Sequence, residues 1–231
     1  MIKRTIKIIL TPVFFMIVLY ADINNIEKSK DNDILLKKAI KYINEDSIGK
    51  NYKKATDILT PLCKKKLASA CYLLGSVYAN GKYGIKKDIN QSIQYRGLAC
   101  NYGVSNACMV VAKELFKKDE DKKAINYIKK ACDYNTSKSC QFLGLYYEGR
   151  GKQQDYNKSM FFHNKACNLN NALSCYSQAT FYLKGLGVKK DYKEAVKLFK
   201  KSSILGNDLA PAMLDVLKDK AIQKNNNLGV R

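Results

Sequence analysis

The eight cysteines of this chain form four pairs with one spacing, C-x7-C: Cys63/Cys71, Cys100/Cys108, Cys132/Cys140 and Cys167/Cys175. Identical spacing four times over means one short structural unit used repeatedly. The even count predicts a bridge within each unit, Cys63–Cys71, Cys100–Cys108, Cys132–Cys140 and Cys167–Cys175, with no thiol left over.

The repeat can be followed away from the cysteines. Eight residues before each first cysteine stands a small residue: Ala55, Ser92, Ala124 or Ser159. A fifth copy of the surrounding motif, DYKEA, ends at Ala195, and the steps between these small residues are 37, 32, 35 and 36. Four residues after the second cysteine comes Gly75, Ala112, Gly144 or Ala179, and seven after it Tyr78, Leu115, Tyr147 or Tyr182. Turns rich in glycine close three copies; the second lacks them. A period near 35 without a strand signal specifies an all-α solenoid of antiparallel helix pairs.

Within a copy the apolar residues keep helical spacing, as in Val196, Leu198, Phe199 and Ser202, with lysines between them. The first cysteine therefore ends a helix A and the second begins a helix B. The small residues four positions into helix B imply close helix approach, since a mid-helix glycine costs about 1 kcal/mol against alanine. The fifth copy has Ser203 and Pro211 in place of the cysteines, as an atypical terminal repeat. The expected organisation is a signal peptide at 1–21 and a capping helix with linker at 22–50. The solenoid of about five pairs follows at 51–220, with a disordered polar tail at 221–231.

Residues 1–21 read as a secretory signal: Lys3, Arg4 and Lys7, then the apolar run Ile8–Tyr20, too short for a membrane span of about 20 residues. Export agrees with paired cysteines, so the expected location is periplasmic or secreted. The mature chain is then not an integral membrane protein. The formal charge is +21, of which the signal carries three. Four residues are arginine, and the lysines spread over every copy. That pattern argues for a solvated surface or attraction to an anionic surface, and against nucleic acid, where arginine grips phosphate with two parallel bonds. A C-x7-C spacing with one histidine, His163, suits neither structural zinc nor haem, so no metal or cofactor is expected.

The small-residue motif of helix A, the LG-x2-Y of helix B (Leu74-Gly75…Tyr78 and Leu143-Gly144…Tyr147) and the turn GLGVKKDYKEA at 185–195 resemble the Sel1-like repeat family over residues 50–220. With the C-x7-C staples, the chain is similar to the exported cysteine-rich branch of that family. The resemblance implies a right-handed superhelix with a concave binding face. It also implies two activities described for that branch, β-lactam hydrolysis and penicillin binding. The residues themselves supply no such chemistry. The sole S-x-x-K, Ser47 to Lys50, lacks the companion motifs of serine β-lactamases, and no catalytic residue is assigned. His163 reads as a packed helix residue.

A solenoid presents its helix A faces to ligands. At the two positions that vary most between copies, the residues assigned to that face are Gln94, Asn126, Phe161, Asn164 and Lys197. The expectation is an exported scaffold that binds a peptide, a protein or a peptidoglycan-type cell-wall fragment. Behind it stand a β-lactamase, by resemblance, and a basic adhesin for an anionic surface.

Overall fold

The computed structural model describes residues 29–44, 51–150 and 154–228. The proposed signal, Ser47 and Lys50 lie outside them. The helices are α1 (29–44), α2 (Tyr52–Lys64), α3 (Ala68–Asn80), α4 (Ile89–Asn101), α5 (Ser105–Phe116), α6 (Asp121–Asp133), α7 (Ser137–Leu145), α8 (Tyr156–Asn168), α9 (Ala172–Lys184), α10 (Tyr192–Ile204) and α11 (Leu209–Leu228). No strand occurs among the described residues. The chain forms two compact units, one ending at Ser92 and one starting at Ile93, so the boundary falls inside α4.

In the first unit α2 and α3 make one stapled pair, Cys63–Cys71, with Cα atoms 4.8 Å apart. Ala55, Leu59, Leu62, Leu74 and Val77 fill its core. Helix α1 stands in the place of a helix B before α2. The Asn51 N–H donates to the Tyr42 carbonyl, as the Asp88 N–H does to Tyr78. In the second unit the same bond joins Glu120 to Leu115, Asp155 to Tyr147 and Asp191 to Tyr182. The span between the bonded residues varies from five to ten residues, yet the bond persists. It fixes how each helix B hands the chain to the next helix A.

The second unit holds Cys100–Cys108, Cys132–Cys140 and Cys167–Cys175, with Cα separations of 4.7–4.8 Å. No cysteine is free. The cystines lie inside the cores. Cys132 and Cys140 pack with Val111, Ile128 and Leu143, and Cys167 and Cys175 with Leu198, Phe199 and Leu217. Each A-to-B connector has a residue in the left-handed region three positions after the first-cysteine site: Lys66 (φ 66°), Gly103 (98°), Asn135 (58°), Asn170 (60°) and Gly206 (88°). Its N–H returns to the carbonyl three residues back, and the next N–H to the carbonyl five back. This helix stop turns the chain sharply enough for the staple to close. Glycine and asparagine tolerate it, whereas Lys66 bears the Cβ penalty.

The first residue of the repeated motif is the cap of helix A. The side chains of Asn51, Asp88, Asp155 and Asp191 each accept a bond from the backbone N–H three residues on. The small residue four positions later is buried in all five copies, Ala55, Ser92, Ala124, Ser159 and Ala195. Ser159 Oγ also donates to the Gly144 carbonyl at 2.8 Å, tying α8 to α7. At Gly144 a Cβ would lie 2.6 Å from the buried ring of His163, which gives the close-approach glycine its reason.

Two expectations need correction. Residues 221–228, read as tail, continue α11 as helix; Ala-Ile-Gln-Lys favours helix, and the polar composition misled the boundary. Gly97, at one of the variable positions, is buried rather than open, because its missing Cβ admits the Tyr127 hydroxyl 2.9 Å from where that atom would sit.

Replacing Cys132 and Cys140 together by alanine should lower stability by about 2–3 kcal/mol in denaturant titrations, because closing so short a loop restricts the unfolded chain. Gly144→Ala gains helix propensity but collides with a ring that cannot move. A net loss of about 1–2 kcal/mol is expected, and a double-mutant cycle with His163→Ala should recover most of it.

Candidate functional site

The five residues assigned to the binding face, Gln94, Asn126, Phe161, Asn164 and Lys197, are all exposed and all lie on A helices. Asn126 opens onto a cleft of about 820 Å³ in the second unit, shared with Lys129, Ile125, Glu120, Tyr146 and Tyr147. Helix α7 is short, and the chain continues through the turn Tyr146–Arg150, where Gly149 (φ 106°) takes the left-handed conformation that stops the helix.

The turn delivers a chain of four rings. Tyr146 meets Tyr147 edge-on at 5.2 Å between centroids. Tyr147 stacks on Phe162 of α8 at 5.7 Å and 7°. Phe162 meets Phe161 edge-on at 5.1 Å. Tyr147 is buried, whereas Phe161 is 61% exposed. Lys158 sets its ammonium 5.4 Å from the centre of the Tyr147 ring, a cation–π distance. Polar groups rim the rings. Glu120, whose side chain caps no backbone group, bonds Lys123 instead. That hydrogen bond holds the Glu120 carboxyl below its usual range and the Lys123 ammonium above its own. Asp155 and Lys158 do the same at the start of α8, again chiefly through their hydrogen bond. The rim stays charged through the neutral range.

Of the predicted face, Asn126 lines the cleft and Phe161 ends the ring chain that starts from Tyr146 and Tyr147 in its wall. Asn164 lies beside Phe161 and accepts from Asn168. Lys197 is paired with Glu194 on α10, and Gln94 sits on α4. The sequence reading did not assign Tyr146, Phe162 or Lys158 to the face. Two aromatic doublets, Tyr146-Tyr147 and Phe161-Phe162, were the available signal.

The second polar cluster is internal. His163 Nδ1 lies 3.3 Å from Ser174 Oγ, and its Nε2 lies 3.6 Å from Glu148. A serine, a histidine and a carboxylate in that order invite comparison with a hydrolytic triad. Both Ser174 and His163 have no exposed surface, so no substrate carbonyl can approach the hydroxyl. The cluster joins α8 to α9 and to the turn after α7 as a buried polar tie. No group of side chains suited to hold a metal ion occurs among the described residues, and no helix there is long and apolar enough to cross a membrane.

The model of the Sel1 repeat family matches residues 68–101, 115–133, 137–171 and 172–207, more than half of the chain. Cytochrome c oxidase assembly factor 7 of Xenopus tropicalis is 32% identical over 167 residues, a match covering 70% of this chain and 60% of that protein. The chain therefore spans somewhat less than two thirds of that relative. Among solved structures, a protective antigen of uropathogenic Escherichia coli with an SLR fold superposes with a TM-score of 0.64 at 23% identity, covering 84% of this chain and 43% of that one. Cysteine-rich protein B of Helicobacter pylori is 32% identical over 55% of this chain and 96% of its own, with a TM-score of 0.42.

The ring chain separates structure from surface. Tyr147→Ala should cost about 3–5 kcal/mol, as loss of a buried aromatic does. Phe161→Ala should change stability by less than about 0.5 kcal/mol. Tyr78, in the same register as Tyr147 but half-buried, should fall between them in thermal melts.

Proposed function

We propose that this chain, which belongs to the Sel1 repeat family, is a disulfide-stapled scaffold that holds an extended polypeptide on the helix A face of its second unit. The observation that carries the reading is the ring chain ending in exposed Phe161, beside the cleft that contains Asn126. An exposed aromatic held by packed aromatics is a rigid anchor, and such anchors dominate the energetics of peptide contacts. The polar rim supplies backbone partners for a bound chain. The frog relative is named as an assembly factor for cytochrome c oxidase. We carry over from it a hold on another polypeptide and leave the oxidase aside.

Four closed cystines suit an oxidising compartment, and we place the working protein in the periplasm or outside the cell. Hydrolysis of β-lactams gains no support from the Ser174–His163 contact, where the hydroxyl is sealed. Binding of an intact β-lactam or of a peptidoglycan fragment competes for the same rings.

Oxidised full-length chain should be titrated against an array of labelled peptides, with muropeptides and a penicillin beside them. Peptides carrying an aromatic or large aliphatic residue should bind. Asn126→Ala combined with Phe161→Ala should weaken them by at least about tenfold, some 1.4 kcal/mol, at an unchanged melting temperature. Muropeptide binding that survives the paired change, with no peptide bound, would reverse the reading.

A further inference from the structure

Among the A helices that lie wholly or mostly in the second unit, the residues can be compared position by position. Counted from the helix cap, positions two, six, nine and thirteen hold Asn90, Gln94, Gly97 and Asn101 in α4. In α6 they hold Lys122, Asn126, Lys129 and Asp133, and in α8 Asn157, Phe161, Asn164 and Asn168, a neutral set. In α10 they hold Lys193, Lys197, Lys200 and Ile204. The position that is polar as Asn101, Asp133 and Asn168 becomes Ile204, 86% exposed. At these positions α10 alone combines three lysines with no acid.

These lysines outnumber the acids beside them. Glu194 engages Lys197 at 3.3 Å. Lys201 is committed to the Cys167 carbonyl at 3.0 Å, which fastens α10 alongside α8. Lys193 and Lys200 form no ion pair among the described residues and are exposed. Together with half-buried Val196 and Ile204 they line a shallow trough of about 450 Å³. The trough has an apolar floor and ammonium groups along its edges, the complement of carboxylates on a chain with an apolar side. A membrane fits less well. Insertion needs several apolar side chains projecting together, and of the two lining this trough only Ile204 is fully exposed.

We infer that the terminal repeat reads the acidic portion of the bound polypeptide, so that the ligand class is an extended peptide with an aromatic or aliphatic anchor and a cluster of Asp or Glu a few residues away. This rests on the peptide-binding reading above and specifies it. Neighbouring A helices pack about 8–10 Å apart, and an extended chain advances roughly 3.4 Å per residue. The anchor at Phe161 and the acids over α10 are then separated by roughly three residues.

Three fluorescein-labelled peptides test this with the oxidised full-length chain: one with a phenylalanine followed at that spacing by an acidic tetrad, one with the acids replaced by Asn and Gln, and one with the acids but alanine for phenylalanine. Anisotropy should give the first peptide an affinity at least about tenfold above the second, falling with added salt. The variant K193Q/K197Q/K200Q should bind the first two peptides alike, with a flat salt dependence and an unchanged circular dichroism melt. Equal binding of the first two peptides to the unaltered chain overturns the acidic assignment and leaves the groove standing. Binding by neither, with Phe161→Ala indifferent, overturns both. Lysine-dependent sedimentation with phosphatidylserine vesicles, together with no preference for the acidic peptide, would assign the trough to a lipid surface instead.

Discussion

Four helix pairs depend on a covalent tie placed where the chain turns. The cystine joins the last turn of helix A to the first turn of helix B, across a connector closed by one left-handed residue. The left-handed stop brings the two Cα atoms within the reach of a disulfide, and the bond then removes conformations from the unfolded chain. Each pair buries little surface alone, so much of its order comes from this local tie and the rest from its neighbours. The fifth pair has Ser203 and Pro211 at the cysteine sites and keeps the same turn through Gly206. The turn is therefore the common element, and the sulfur is added to it.

Neighbouring pairs are joined by bonds that repeat with the same period. One is the backbone bond from each helix cap to the preceding helix B. Another is a lysine two residues before the first-cysteine site. Lys130 reaches Asn101 Oδ1 at 2.6 Å, Lys165 reaches Asp133 Oδ1 at 2.9 Å, and Lys201 reaches the Cys167 carbonyl at 3.0 Å. Each places a positive charge at the C-terminal end of the previous A helix, where the helix dipole is negative. Part of the large positive charge is thus structural, and the lysines on the outer face of α10 stand apart from it. The first two copies carry Pro61 and Leu98 at this position and lack the clamp.

The fourth copy buries a polar ring in its core, and the proposed site lies beside it. His163 takes the place that Leu59, Ile128 and Phe199 fill in other copies. It is fully buried against Gly144, Ser174 and Phe181. Its Nδ1 contact with Ser174 ties α8 to α9, while its Nε2 is buried without a hydrogen bond, 3.6 Å from Glu148. The stack of Tyr147 on Phe162 forms on the same stretch of α8, so the rings that hold Phe161 rest on a fixed helix.

Spacing alone determined the repeat, the helix pairs and the four bridges, because a covalent staple and a 3.6-residue period leave their marks at fixed intervals along the chain. It also marked Asn126 and Phe161 as surface residues, since packing positions repeat and exposed positions vary. It could not distinguish Gly97, which another helix's tyrosine covers, from an open groove position. Nor could it see that Tyr146, Tyr147 and Phe162 form one chain of rings, or that Ser174 meets His163 in a sealed core. Those facts depend on which helix lies against which. Side chains fifteen residues apart become neighbours only when the solenoid stacks, so the tertiary structure decided the site while the periodicity decided the frame.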